Sequence, residues 1–322
     1  MIARLGLLSM TLLLVTCSGV ACSSESSEGG ATGGTGAGGA SGASGGGGTA
    51  GSGGQGASGG SGGGQAGNAG TGGGQGGAPA ICGKPKPGAS NTGVPPGVTL
   101  KPSGSITIDK PGSVVEGLDI TGEVMVLADN VTIRNCRITS GDYYPIRYFD
   151  NDNVGLLVED TEIIGTSGDA TAGISFANYT ARRVNVHGTA DGFKADANVL
   201  IESCWVHDLS NGPGEHNDAV QSTGGKGVTI RNSTLEGASN AAVQTGDLGG
   251  ATEDLTIECS WLYGGGYTLN IRGQGATVPK NTRIVDNRFG DDSAYGPWVI
   301  DDPSPTVTGN VWDATGQPIP YP

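Results

Sequence analysis

The sequence lacks the features of several large protein classes. It contains 17 Lys and Arg residues against 31 Asp and Glu residues, a formal net charge of -14. Because phosphate binding depends on clustered basic side chains, this balance argues against a nucleic-acid ligand. After residue 80 there is no helical heptad, Walker-type loop or dinucleotide-binding arrangement, and no Cys/His spacing suggests zinc. The acidity serves solubility for most of these carboxylates, but it also permits a divalent cation such as Ca²⁺.

The amino terminus predicts an export signal over residues 1–21. Arg4 supplies the positive charge, residues 5 to 15 form an apolar stretch too short to span a bilayer, and Gly19-Val20-Ala21-Cys22 is a small-residue cleavage site. Cleavage before Cys22 resembles that of a bacterial lipoprotein, although Gly19 also fits ordinary secretion. We therefore expect an exported protein that contacts a membrane only through a lipid on Cys22, at the outer membrane or cell surface, and that is otherwise secreted.

Residues 22–80 predict a disordered tether. They consist of Gly, Ser, Ala, Thr and Gln with almost no large apolar residue, so they cannot offset the entropy of ordering. Most of the 63 glycines belong to this linker and carry no evidence for a phosphate-binding loop. A single folded domain is expected over residues 81–322.

An imperfect repeat occupies the folded part. Seven segments align: Pro145-Ile146-Arg147-Tyr148, Gly173-Ile174-Ser175-Phe176, Gly192-Phe193-Lys194-Ala195, Ala219-Val220-Gln221-Ser222, Ala242-Val243-Gln244-Thr245, Thr268-Leu269-Asn270-Ile271 and Trp298-Val299-Ile300-Asp301. The second position is always apolar and the third is usually polar, which is the alternation of a strand with one buried face. A second set of strands, such as Val131-Thr132-Ile133-Arg134-Asn135 and Val228-Thr229-Ile230-Arg231-Asn232, lies between them.

The repeats follow one another every 20 to 29 residues or so, the length of one coil of a β-solenoid. The pattern resembles the right-handed parallel β-helix of the pectate-lyase-like superfamily over roughly residues 95 to 315. We expect an all-β solenoid of about eight coils, with Ile174, Phe193, Val220, Val243 and Leu269 in one interior column. The resemblance implies a stack of polar side chains at a recurring turn, where the sequence has Asn135, Asp160, Ser203, Asn232 and Asp286.

The coil register restricts the disulfides. Cys136 and Cys204 share a column three coils apart, about 14 Å, and Cys204 and Cys259 lie two coils apart, about 10 Å, whereas a disulfide requires Cα atoms within about 7 Å. Cys204 and Cys259 are therefore predicted to be free thiols. Only a Cys82–Cys136 pair stays open, with Cys82 in a segment expected to cap the first coil.

One exterior sheet carries the candidate site. Its outward row is predicted to be Arg147, Ser175, Lys194, Gln221, Gln244, Asn270 and Ile300, and Arg272 and Asp196 lie in the next row. Amide, guanidinium and ammonium groups on consecutive coils are suited to the hydroxyls and carboxylates of an extended polysaccharide. Gln221, Gln244 and Asn270 are candidate binding residues, and Tyr143, Tyr144, Tyr267 and Trp298 are either sugar-stacking rings or coil-edge packing.

The densest polar cluster spans two coils. Asp191 is predicted to lie beside Asp218 at about 5 Å, so these two carboxylates either share a proton, bind Ca²⁺ together with Asp196, or cap the turns before their strands. Lys194 is expected to be exposed. The resemblance to β-helix lyases implies that it is the base that abstracts a proton next to a uronate carboxylate, which Arg147 or Arg272 neutralises. The alternative is a surface salt bridge with Asp196.

His216, in the longest nearby loop, is a candidate general acid or base. No lyase signature of the Trp-Ile-Asp-His or Arg-x-Pro-x-x-Arg type is present. The leading hypothesis is a cell-surface polysaccharide lyase, monomeric and acting on an acidic glycan. The alternatives are a glycoside hydrolase that uses Asp191, Asp196 and Asp218, and a non-catalytic glycan-binding or adhesion module.

Overall fold

The computed structural model describes residues 80–148, 152–166, 170–210, 216–246, 248, 250–273 and 277–321. The predicted export signal, Cys22 and nearly all of the linker lie outside these ranges. The regular elements within them are all β-strands, arranged in three parallel sheets. Accordingly, no helix in the described part of the chain has the length and apolarity that crossing a membrane requires.

Each coil of the chain contributes one strand to every sheet. Sheet 1 contains β2 (Ile106–Ile108), β5 (Val124–Val126), β8 (Ile146–Tyr148), β11 (Ala172–Ile174), β14 (Asp191–Lys194), β17 (Asp218–Ser222), β20 (Ala241–Thr245), β23 (Tyr267–Ile271) and β26 (Gly296–Ile300). Sheet 2 contains β3 (Val114–Glu116), β6 (Thr132–Arg134), β9 (Leu156–Glu159), β12 (Tyr179–Arg182), β15 (Val199–Glu202), β18 (Gly225–Arg231), β21 (Thr252–Glu258), β24 (Arg283–Val285) and β27 (Thr306–Thr308).

Sheet 3 begins and ends the solenoid. It contains β1 (Lys101–Ser103), β4 (Leu118–Thr121), β7 (Arg137–Ser140), β10 (Glu162–Gly165), β13 (Asn185–His187), β16 (Trp205–His207), β19 (Thr234–Leu235), β22 (Trp261–Leu262), β25 (Arg288–Phe289) and β28 (Val311–Trp312). The described residues therefore make nine turns, slightly more than the repeat predicts.

The interior is a set of continuous apolar columns. The register pairs Ile174 with Phe193, Phe193 with Val220, Val220 with Val243 and Val243 with Leu269, as predicted. All five side chains are buried. Because each layer packs on the next, a charge placed in this column has no partner within reach.

The recurring polar turn between sheets 2 and 3 has a backbone explanation. Its residues adopt left-handed conformations with φ between 49° and 57°, a region that Asn and Asp tolerate best: Asn135, Asp160, Arg183, Ser203, Asn232, Cys259 and Asp286. The principal stack of buried polar side chains lies one residue later. There, Ser260 Oγ accepts from the backbone N–H of Ser233 at 3.1 Å, and Asn287 Oδ1 accepts from that of Ser260 at 2.9 Å. This stack satisfies amides that the corner leaves unpaired.

The outward face of sheet 2 carries alternating charges, which we call the Arg/Glu ladder. Its members are Glu116, Arg134, Glu159, Arg182, Glu202, Arg231 and Glu258. Arg182 lies 3.0 Å from Glu202, and Arg231 lies 2.8 Å from the same carboxylate. Opposite charges on neighbouring strands stabilise this register, because a shift of one coil would pair like charges.

Residues 80–100, the strap, correct two predictions. Cys82 forms a disulfide with Cys259, so Cys259 is not a free thiol, whereas Cys204 and Cys136 are free and buried. The strap does not cap the first coil. It runs back along sheet 3, where Pro87 O accepts from the Thr234 hydroxyl at 2.8 Å and Arg183 O accepts from the Gly93 amide at 2.8 Å. The coil register alone was misleading because the partner of Cys259 lies outside the coils.

Candidate functional site

Lys194 lies on the outward face of sheet 1, but it is not the exposed residue that the sequence predicts. Its side chain is 10% exposed, and Nζ lies 2.5 Å from Asp191 Oδ2. Nζ also donates to the side-chain oxygen of Gln221 on the next coil. The expected surface pair with Asp196 is therefore replaced by a largely buried pair with Asp191.

Asp191 and Asp218 lie side by side, as the register predicts. Asp191 Oδ1 accepts from the backbone N–H of Asp218 at 2.8 Å, which is the capping role that the sequence left open. Asp218 is fully buried, and its carboxylate accepts from Gln221 Nε2 at 3.1 Å and from Asn240 Nδ2 at 2.8 Å. Burial, with the nearby Asp191 charge, raises the pKa of Asp218 to about 7.

The hydrogen bonds continue across two more coils. Gln244 Oε1 accepts from Asn240 at 3.2 Å and from Asn270 Nδ2 at 2.6 Å, and Asn270 Oδ1 accepts from Arg272 Nε at 2.6 Å. We call the connected set the Lys194 network: Asp191, Lys194, Asp218, Gln221, Asn240, Gln244, Asn270 and Arg272. The sequence pattern did not single out Asn240, because this residue precedes β20 and lies outside the alternating strand pattern. Its position directly before Ala241, at the start of the strand, could have indicated that it lies near the site.

Asp196 is the accessible carboxyl of the cluster. It is half-buried, and its Oδ1 accepts from the Thr223 amide at 2.7 Å and the Thr223 hydroxyl at 3.1 Å. Burial raises its pKa, whereas the Thr223 hydrogen bonds and the nearby Lys194 charge oppose the rise. A carboxyl that is partly exposed on the outward face can exchange a proton with a ligand there.

The two arginines lie on opposite sides of Lys194. Arg147 is two coils away in the outward row, 3.7 Å from Glu123 Oε1. Arg272 is exposed and closes the other end of the Lys194 network. A shallow cleft of about 110 Å³ lies between them, lined in part by Gln221, Thr223 and Gln244.

His216 lies just before the site strand β17, whereas Trp298 lies in the interior of the last coil. His216 is exposed and directly precedes the buried Asn217 and Asp218; residues 211–215 of its loop lie outside the described residues. Trp298 pairs with Leu269, so it falls in the interior column and packs edge-on against Phe289 at 5.3 Å. This packing favours the coil-edge alternative over a sugar contact for Trp298. The last coil is shifted by one residue, and Val299 rather than Ile300 follows Asn270.

The carboxylates of the predicted calcium site are already engaged in other contacts. Among the described residues, no group of three or more His, Cys, Asp or Glu side chains is arranged to hold a metal ion. Asp191 already pairs with Lys194, and both oxygens of Asp218 accept amide hydrogens. Calcium at this cluster stays a prediction that requires Lys194 to leave Asp191.

Comparison with known proteins agrees with this architecture. Residues 95–252 match the family model described as "Right handed beta helix region". With three parallel sheets of nine or ten strands, the protein is a right-handed parallel β-helix, a fold that polysaccharide lyases, hydrolases and other proteins share. Searches of curated proteins and of solved structures gave no match.

Proposed function

We propose that this protein is a cell-surface enzyme that binds an extended, uronate-containing polysaccharide across sheet 1 and cleaves it by β-elimination. The observation that carries the proposal is that a fixed cation, Lys194, and the partly exposed carboxyl of Asp196 lie two residues apart at the end of β14. Both lie beside amide groups that continue over neighbouring coils. Such a face offers hydrogen bonds to sugar hydroxyls and a cation to sugar carboxylates.

The geometry supports a revised division of roles. An ammonium group that is already paired with Asp191 is a poor proton acceptor, but it is well placed to neutralise a uronate carboxylate. Asp196 then accepts the proton from carbon 5. The released electron pair forms the C4=C5 double bond, the C4–O bond breaks, and the leaving oxygen takes a proton from solvent. Arg147 and Arg272 would bind carboxylates of neighbouring sugars.

The hydrolase alternative is less well supported. Hydrolysis requires two carboxyl groups that both reach the glycosidic bond. Asp218 is fully buried and Asp191 is 4% exposed, so Asp196 alone of the three is accessible.

Incubation of the exported protein with polygalacturonate, alginate and a neutral glucan tests the proposal. A lyase gives ultraviolet-absorbing unsaturated products from an acidic polymer, a hydrolase gives only new reducing ends, and a binding module retains the polymer unchanged. New reducing ends without absorbance, or retention alone, would overturn β-elimination.

Variants separate the roles within the site. We expect Lys194→Ala and Asp196→Asn each to lower turnover at least about a hundredfold. Lys194→Arg should retain part of the activity, because it keeps the positive charge. An inactive Lys194→Arg variant that is folded and binds substrate would instead make Lys194 the base. Lys226→Ala, on the exposed face of sheet 2, is the matched control.

A further inference from the structure

Exposed tyrosine rings lie near sheet 1 on both sides of the Lys194 coil. Tyr143 is 57% exposed and Tyr295 is 75% exposed. Aromatic side chains usually bury most of their area, so an exposed ring that is nevertheless fixed in place is suited to contact a ligand.

The ring of Tyr295 is held from below. Its backbone N–H donates to Gly266 O at 2.8 Å, and its centroid lies 5.6 Å from that of Tyr267. A Cβ atom on Gly266 would lie 3.3 Å from the Tyr295 ring. One side of the ring therefore rests on a backbone without a side chain, and most of the ring faces solvent.

Tyr143 is supported by other rings. It packs edge-on against Tyr144 at 4.7 Å between centroids, and Tyr144 packs against Phe176 at 5.3 Å. Tyr144 is 6% exposed, so it acts as the buried support for Tyr143. The backbone oxygen of Tyr143 also accepts from the Thr171 amide at 2.9 Å, which fixes the segment to the next coil.

The strand register gives the distance of each ring from the site. Tyr143 lies just before β8, two coils ahead of the Lys194 strand, and Tyr295 lies just before β26, four coils after it. At about 4.8 Å per coil, these separations are about 10 Å and about 19 Å along the sheet. Polar groups of the Lys194 network fill the longer interval as far as Asn270.

We propose that Tyr143 and Tyr295 are sugar-stacking platforms that hold the glycan on both sides of Lys194, so that the enzyme cuts within the chain. This inference rests on the proposed function. The flat carbon–hydrogen faces of sugar rings pack on aromatic rings whatever the charge of the sugar. A glycan held on both sides of the reacting bond is cleaved internally, whereas an enzyme that removes terminal units needs one closed end.

The test uses the full exported protein, the acidic polymer that it cleaves, and size-graded oligomers of that polymer. We expect Tyr143→Ala and Tyr295→Ala each to raise KM for long oligomers about fivefold, from about 1 kcal/mol per stacking contact, and to leave short oligomers unaffected. Tyr295→Phe should behave as wild type because it keeps the ring. Val114→Ala removes a similarly exposed apolar side chain from sheet 2 and serves as the control. Viscosity should fall early, before much product absorbance accumulates.

Unchanged KM for long oligomers in both alanine variants, or release of single terminal units, would overturn the inference. Polymer binding is also measured in the Lys194→Ala background, by retardation in native gels that contain polygalacturonate. Loss of retardation on adding Tyr295→Ala supports the platform independently of cleavage. Retardation that depends on both tyrosines, in a wild-type protein that cleaves nothing, would overturn the proposed lyase while supporting glycan stacking.

Discussion

The outward faces of sheets 1 and 2 are both polar, but they satisfy their charges in different ways. On sheet 2 the register of the Arg/Glu ladder places each arginine between two glutamates, and the side chains of Arg182 and Arg231 stay 36% and 43% exposed beside Glu202. On sheet 1 a single ammonium, that of Lys194, is largely buried and contacts the carboxylate of Asp191 and the side-chain amide of Gln221. The first arrangement fixes the register of the coils, whereas the second retains donors that a ligand can use.

The largest contrast is expected in stability. Asp191→Ala leaves the Lys194 ammonium without its carboxylate and the Asp218 amide without its acceptor, so we expect a loss of about 3 to 5 kcal/mol. Glu202→Ala on sheet 2 should cost about 1 kcal/mol or less, because water screens its partners. Urea denaturation of both variants measures the difference. Equal losses would mean that the two faces are energetically alike.

The pH dependence of the two faces should have opposite sign. The pKa of Asp218 is raised to about 7 from an unfolded value of about 3.9, so its contribution to stability is full below about pH 4 and is lost as the pH rises through about 7. Two arginine partners lower the pKa of Glu202 despite its partial burial. Its contribution is present above its unfolded pKa and is lost as the pH falls through its lower folded value. Melting curves of Asp218→Asn and Glu202→Gln from pH 3 to 8, each subtracted from wild type, should slope in opposite directions; parallel slopes would contradict this.

Calcium affinity should also distinguish the two sheets. Removal of Lys194 takes the ammonium away from Asp191 Oδ2 beside Asp218, so we expect Ca²⁺ to bind Lys194→Ala at least about tenfold more tightly than wild type, about 1.4 kcal/mol. Arg182→Ala, which frees carboxylates on sheet 2, should show no such gain. Calorimetric titration with CaCl₂ measures both affinities. Equal affinities in wild type and Lys194→Ala would mean that Ca²⁺ does not bind at this cluster.

The smallest expected effect is the coupling within the Arg/Glu ladder. The exchange Arg182→Glu with Glu202→Arg restores an opposite pair but places like charges against the outer neighbours Glu159 and Arg231. We expect a coupling energy of about 0.5 kcal/mol between the two sites, reduced further in high salt. A double-mutant cycle in low and high salt measures it, and a coupling that salt does not change would argue against an exposed ladder.

The sequence predicted the solenoid and its interior columns because strand alternation is a local property that each coil repeats. It missed β12, whose Tyr179 and Ala181 occupy positions that are aliphatic in neighbouring coils. It also misplaced Trp298, because the register of the last coil differs by one residue from the alignment of the repeats.

The sequence predicted which residues of the candidate site lie next to one another, but not how their side chains are oriented. Register alone placed Asp191 beside Asp218 and Lys194 beside Gln221. Whether Lys194 turns towards Asp191 or Asp196 depends on side-chain rotamers and burial, which a repeat does not encode. The Cys82–Cys259 disulfide could not be predicted for a similar reason, since nothing in the coil pattern indicates the path of the strap.

That disulfide changes how the protein responds to mechanical load. Solenoids ordinarily unravel from a terminal repeat, where one coil has a single neighbour. Here a covalent link across 177 residues closes a loop that contains every strand from β1 to β21. Tension applied ahead of Cys82, where the predicted surface tether enters, passes directly to Cys259 and bypasses the first coils. The coils that carry Lys194 and Asp218 lie inside this closed loop, so tension on the amino terminus does not draw them out one after another.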